Sequence, residues 1–164
     1  MPVDPIREAR RQWEAHGWTD AADGMAMVTS LVRVHQLIHA RIDAVLRPFD
    51  LTFARYEVLR LLAFSSRGEL PMARVGSLLQ VHPASVTSAV SRLEAQGYVQ
   101  RTRSETDRRV IYAAITDSGR EVVERATTGL NAEVFADPGL AADPARRLTR
   151  LLEDFRRNAG DPVD

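Results

Sequence analysis

Apolar positions recur at helical spacing along most of the chain. Ile6, Ala9 and Trp13 fall at i, i+3 and i+7, which predicts a helix over Asp4 to His16. Pro5 suits its first turn, and Gly17 can close it. From Ala21 to Arg47 a longer stripe runs through Val28, Val32, His35, His39, Ile42 and Leu46, widened by Leu31, Ile38 and Val45, until Pro48 stops it. Thr52 is placed to cap a third helix, with Tyr56, Leu59 and Leu62 facing inward as far as about Phe64. After a loop at Ser65 to Gly68, Leu70-Pro71 is expected to open a short helix carrying Met72, Val75, Leu78 and Leu79. Val81-His82-Pro83 breaks that helix, and Pro83 to Gln96 forms the next, with Val86, Val90 and Leu93 at i, i+4 and i+7 and Gly97 at C′.

The period then changes. Tyr98 to Arg103 and Arg109 to Ile115 read as two strands of a hairpin. Thr116 can cap a helix from Asp117 to about Phe135, Asp137-Pro138-Gly139 ends it, and Asp143-Pro144 reads as an N-cap followed by proline at N1. The last helix runs to about Asn158, with Leu148, Leu151, Leu152 and Phe155 on one face. The expected fold is mainly α with a small β-hairpin. It divides into N-terminal helices (1–50), a reading domain (51–116) and C-terminal helices (117–164). The outer helices carry apolar faces that so small a reading domain cannot cover, so a homodimer joined through both termini is expected.

Pro71 to Ile115 is the informative stretch. A short helix, a tight break, a second helix and a hairpin make a helix-turn-helix followed by a wing. The second helix is apolar on its inner stripe and offers Ser85, Thr87, Ser88, Ser91 and Arg92 elsewhere, groups that can approach base edges and phosphates closely. His82 and Pro83 stand at its N-terminus, where free amide groups favour phosphate. Glu94 is the only acid between Val81 and Gln100. The hairpin tip, RTRSETDRRV, holds four arginines and two acids in ten residues. Arg101, Arg103, Arg108 and Arg109 there suit phosphates and a narrow minor groove. Asp107 is expected to brace the tip by pairing with a neighbouring arginine, Arg92 being one choice. The alternative is a winged-helix module that contacts an acidic protein partner and no DNA.

Composition narrows the classes. The chain has 164 residues, 45% of them hydrophobic, and a formal net charge of zero, so only local clustering of charge can mark a nucleic-acid surface. All 22 basic residues are arginine. Cysteine is absent, so no disulfide framework forms, and the cytoplasm is the simplest location. No apolar run reaches the roughly 18–20 residues of a membrane span, and the N-terminal segment lacks the apolar stretch of a signal peptide. No phosphate-binding glycine loop or nucleophile elbow occurs, and Glu153-Asp154, at i and i+1, do not face one another. An enzyme is not expected, nor a cofactor.

The segment VHPASVTSAVSRLEAQGYVQRTRSETDRRVIYAAITDSG resembles the core of the MarR (multiple-antibiotic-resistance regulator) family of winged-helix transcription factors. Arg92-Leu93-Glu94, Gly97-Tyr98-Val99, Asp107-Arg108-Arg109 and Thr116-Asp117-Ser118-Gly119 carry the likeness, which extends over roughly Met25 to Asn158. It implies an obligate dimer on a pseudo-palindromic operator in double-stranded DNA, and a repressor released by a small aromatic or anionic effector. The additional N-terminal helix resembles a subgroup that includes urate-responsive members. Ala89 stands where those carry a ligand-holding arginine, and Glu57 where they carry an aspartate, so the ligand class stays open.

Residues for such an effector are His35 and His39 on the long helix, together with Phe53, Arg55 and Tyr56 early in the third. The same residues are compatible with ordinary packing. Two imidazoles at i and i+4 could also ligate a metal, but no third ligand accompanies them in sequence, and no metal site is expected. Trp13 and Trp18 bracket the first break and are expected to pack the first helix onto the dimer body.

Overall fold

The computed structural model describes residues 3–163. It divides into two compact units, one up to Ile42 and the other from Asp43 onward.

The first unit holds α1 (Pro5–Ala15) and most of α2 (Thr19–Leu46). Asp4 caps α1, its side chain accepting from the Ile6 N–H at 3.0 Å. Gly17 takes φ +82° in the break. Trp13 and Trp18 meet edge-on with ring centroids 5.4 Å apart, and His16 stacks on Trp18 at the same separation. Trp18 stays 54% exposed, so the pair braces the break between the two helices. Arg10 bridges Glu14 and Asp23 at 3.3 and 2.8 Å. Along α2, Met27, Val28, Leu31, Val32, Val34, Leu37 and Ile38 lie open to solvent. A single chain leaves this apolar surface uncovered.

The second unit is the head. Val45 and Leu46, the end of α2, are buried in it. A 3₁₀ turn over Arg47–Phe49 follows, closed by Asp50 in the left-handed region at φ 51°. Next come α3 (Phe53–Phe64), β1 (Glu69–Pro71), α4 (Met72–Leu79), α5 (Pro83–Ala95), β2 (Val99–Arg103), β3 (Ile111–Ile115) and α6 (Asp117–Leu130). The core draws on each helix in turn: Leu59 and Leu62, Val75, Val90 and Leu93, Val123 and Leu130, closed by Val99 and Ala113 of the sheet.

The sheet departs from the expected hairpin. It has three antiparallel strands in the order β1-β3-β2, with Leu70 opposite Ala113 and Arg101 opposite Ala113 on the other side. Leu70 and Pro71, read from sequence as the opening of a helix, are strand. Pro71 lies at the sheet edge opposite Tyr112, where its missing N–H costs no ladder bond. The hairpin strands are shorter than predicted, since Tyr98 precedes β2 and Arg109 and Val110 precede β3.

α6 passes into one widened π turn at Asn131–Phe135 before α7 (Ala142–Asn158). The cap of α7 is Ala141, which offers no side-chain bond, and the expected cap Asp143 lies inside the first turn, paired with Arg146. No residue of α7 is buried. Leu148, Leu151, Leu152 and Phe155 expose 40, 66, 37 and 54% of their surface. This is a second uncovered apolar face.

Candidate nucleic-acid interface

α4 and α5 form the helix-turn-helix. Gln80 turns the chain at φ 54°, and the Val81 N–H bonds back to the Gly76 carbonyl at 3.1 Å. A Cβ on Gly76 would come within 3.3 Å of Val86, so glycine lets the two helices close up. His82 caps α5: its Nδ1 accepts from the Ala84 N–H at 3.2 Å, which leaves Nε2 protonated and facing outward as a donor when the ring is neutral. Pro83 fills N1. Val86, Val90 and Leu93 are buried, and Ser85, Thr87, Ser88 and Arg92 are exposed, with Ser91 half-buried. Thr87 spends its hydroxyl proton on the Pro83 carbonyl at 3.1 Å.

The far end of α5 is fastened to α6. Gly97 closes the helix at φ +77°, and its carbonyl accepts both the Thr116 hydroxyl at 2.7 Å and the Ser118 hydroxyl at 3.0 Å. The Thr116 N–H bonds to the Tyr98 carbonyl at 3.0 Å, and Thr116 Oγ1 caps α6 through the Gly119 N–H at 3.1 Å. Gly119 is required here, because a Cβ would sit 2.2 Å from the Tyr98 carbonyl oxygen.

The hairpin tip organises itself locally. Ser104 Oγ accepts from the Thr106 and Asp107 N–H groups, each at 3.2 Å. Asp107 does pair with an arginine, but the partner is Arg109. Asp107 Oδ1 accepts from the Arg109 backbone N–H at 3.0 Å and from Nε at 3.2 Å, and Oδ2 accepts from Nη2 at 3.2 Å. Arg92 was the other choice, and its guanidinium has no partner among the described residues. The adjacent turn wins because a two-residue spacing lets one carboxylate reach both backbone and side chain of Arg109. Side-chain hydrogen bonds from Arg109, then its backbone N–H, hold the Asp107 carboxyl below its usual range.

The four wing arginines therefore differ. Arg101 is drawn back to Glu94 of the reading helix, through Nε at 2.9 Å, its backbone N–H at 3.3 Å and a further ion-pair contact from Nη2. Those bonds lower the Glu94 carboxyl. Arg109 is held by Asp107 yet its side chain is 91% exposed. Arg103 and Arg108 are exposed, with no partner for either guanidinium among the described residues.

An open cleft of about 850 Å³ runs between the start of α3 and the outer face of α5, lined by residues that include Thr52, Arg55, Ser85, Ser88 and Arg92. Arg55 donates from Nη1 to Gln96 Oε1 at 3.1 Å, and Gln96 donates to the Asp50 carbonyl at 2.9 Å. Sequence reasoning had no signal for Asp50 and Gln96, which are polar residues 46 positions apart.

The effector candidates separate. Tyr56 is buried, and its hydroxyl lies 3.0 Å from Thr127 Oγ1, which itself donates to the Val123 carbonyl at 2.7 Å. Tyr56 is therefore the donor and part of the core. Phe53 stacks on it at 6.0 Å, and Arg55 alone of these three lines the cleft. In the other unit, His35 and His39 contact each other with ring centroids 4.5 Å apart. Among the described residues no three His, Cys, Asp or Glu side chains are grouped as metal ligands, and no helix is long and apolar enough to cross a membrane.

A helix-turn-helix with an exposed, small and polar reading face, flanked by an arginine-bearing hairpin, defines a winged-helix DNA-binding protein. The model of the MarR family matches residues 49–110. The transcriptional regulator SarZ of Staphylococcus saprophyticus is 31% identical over 110 residues, covering 67% of this chain and 73% of SarZ. The crystal structure of Sco5413, a MarR family transcriptional regulator from Streptomyces coelicolor, is 44% identical with a TM-score of 0.77, over 87% of this chain and 99% of that one. Sco3205 from the same organism, a MarR family regulator solved in complex with DNA, shares the fold at 24% identity and a TM-score of 0.73, over 84% and 88% of the two chains. The chain belongs to the MarR family. It is a transcriptional regulator and not an enzyme.

Proposed function

We propose that this regulator is a homodimeric repressor that binds a pseudo-palindromic operator in double-stranded DNA and leaves it when a small aromatic or anionic effector binds. The observation that carries the reading is the pairing of an exposed polar face on α5 with Arg108 at the wing tip, whose guanidinium has no partner among the described residues. The face is placed for a major groove, and the arginine for a phosphate or the adjacent minor groove. His82, Pro83, Ser85, Thr87, Ser88, Ser91, Arg92, Arg103, Arg108 and Arg109 are the proposed DNA contacts. Arg101 reaches DNA only by giving up Glu94.

The dimer is supported by the open apolar faces of α2 and α7, since obligate dimers bury on the order of 2,000 Å² or more of such surface. A palindromic site follows from two-fold symmetry. An effector releases DNA only if it binds the DNA-incompetent arrangement of the two heads more tightly. Arg55, at the cleft and within the head, is the proposed anion contact. His35 and His39 are tested beside it by alanine substitution.

The test is a mobility shift on DNA selected from a random pool, repeated over a salt series, with sedimentation at micromolar concentration. The expected result is a dimer whose specific complex weakens steeply with salt. A stable monomer, or a shift equal on every sequence, overturns the reading.

A further inference from the structure

We infer that Arg92 is the specificity-determining residue of the reading helix, and that each operator half-site holds a guanine that Arg92 reads through O6 and N7. This rests on the proposed DNA-binding role of α5 and names what that helix selects.

The argument is an inventory of hydrogen-bonding capacity. Bidentate recognition in the major groove needs two parallel groups on one side chain: a guanidinium for guanine, or an amide for adenine. A carboxylate serves instead for the cytosine amino group. Between Val81 and Gln96 three side chains have that capacity, Arg92, Glu94 and Gln96, and His82 offers a single ring nitrogen. Glu94 is occupied, its oxygens taken by the Nε and backbone N–H of Arg101. Gln96 is occupied on both ends, its oxygen by Arg55 and its nitrogen by Asp50. His82 has spent Nδ1 on the cap and keeps one ring nitrogen.

The remaining exposed groups are single hydroxyls, and that of Thr87 already donates to backbone. Single hydroxyls serve any base and discriminate weakly. Arg92 is the one forked group on the helix with nothing bound to it among the described residues.

Position supports the same assignment. Ser85, Ser88 and Ala89 precede Arg92 at seven, four and three residues, so the four share one face, and all line the open cleft. The three small side chains leave room for base edges to come close, and Arg92 has the length to cross the remaining gap. Glu94, two residues along, is engaged by Arg101 of the wing. The helix offers no free amide and no free carboxylate, so bidentate selection of adenine or cytosine in the major groove is not available to it.

The experiment is DNA selection with wild-type protein and with Arg92→Lys and Arg92→Ala, followed by binding to the selected site carrying 7-deazaguanine at the guanine in question. Wild type is expected to select a guanine at one fixed position per half-site. It should lose about 5- to 150-fold in affinity for each half-site in which that base is changed, the usual worth of a bidentate pair. Arg92→Lys keeps the charge and loses the fork, and Arg92→Ala loses both. Arg92→Ala should bind guanine-substituted and 7-deazaguanine sites as well as the parent site, whereas Arg92→Lys, whose ammonium still donates to O6 and N7, should keep a smaller guanine preference, with other positions of the selected sequence unchanged.

A different result identifies what failed. If Arg92→Ala weakens all sequences equally and lowers the salt slope while the guanine preference persists, Arg92 is a phosphate contact and the inference is wrong, with DNA binding intact. If wild type selects no sequence at all, the operator-binding reading fails and this inference falls with it.

Discussion

Replacing Asp107 by Ala sets two effects of opposite sign against each other. In pure electrostatics the variant removes a negative charge from a loop that meets phosphates. At about 10 Å, near the screening length, one unit charge in water changes affinity by about two-fold per wing, and the binding tightens. The geometry predicts the reverse. Asp107 accepts three hydrogen bonds from Arg109, and the one from the backbone N–H at 3.0 Å fixes the turn that presents Arg108. The two side-chain bonds count for little, because Arg109 remains 91% exposed. Losing the turn bond removes about one ordinary hydrogen bond of ordering, about five-fold per wing. The net is roughly two- to three-fold weaker per wing, or about six-fold for a dimer. Asp107→Asn is the internal control, since it removes the charge and keeps an oxygen for the Arg109 N–H. It should bind as well as wild type or slightly better. The assay is fluorescence anisotropy on a selected operator at four salt concentrations. Tighter binding by Asp107→Ala at every one of them would refute the brace.

Further predictions follow from the same geometry. Arg108→Ala should flatten the slope of log affinity against log salt by about 1.8 per dimer, two phosphates at about 0.9 each, and Arg109→Ala by less, because the Asp107 carboxylate beside it offsets part of its charge. The affinity ratio between wild type and Asp107→Ala should stay constant from neutral pH down through the ordinary carboxylate range, because the carboxyl is lowered. It should close only as pH falls through that lowered value and the proton displaces Arg109. Gly119→Ala would gain about 1 kcal/mol in helix propensity on an open helix. Here its Cβ meets the Tyr98 carbonyl at 2.2 Å, so a net loss of about 1–3 kcal/mol is expected in urea unfolding. Tyr56→Phe should cost about 0.5–1.5 kcal/mol by the same measurement and leave any effector response unchanged, since the hydroxyl serves Thr127 in the core.

The elements that were legible in the sequence are those whose signal is local. The stripe of Val86, Val90 and Leu93 gave α5 its buried side, and Gly97 its end, because helix period and C′ chemistry are written within a few residues. The strand at Glu69–Pro71 was not legible. Three residues are too few to show a period, its partner lies about forty positions away, and a proline beside a helix normally reads as that helix's start. The cap of α7 was misplaced because Asp143-Pro144 has the right composition two residues too late. In the site, the arginines were visible but not their division of labour. Whether Arg101 turns to Glu94, and Arg109 to Asp107, depends on strand register and turn geometry. The burial of Tyr56 in the core was hidden for a similar reason, since its partner Thr127 lies on a helix far along the chain.

The two hydroxyls that converge on the Gly97 carbonyl have a mechanical meaning. Thr116 and Ser118 rivet the trailing end of the reading helix to the leading end of α6, and Gly119 lets the backbones touch there. Tilting α5 on its own would break both bonds and open a packed seam. The reading helix therefore has few degrees of freedom that are not also those of α6. For the proposed dimer, a signal that alters DNA affinity then has a restricted vocabulary: it would translate or rotate each head as a block and change the distance between the two reading helices, leaving the shape of each unchanged. In the proposed dimer, an effector that releases DNA would act through the placement of whole heads, and the quantity to follow as it binds is their separation.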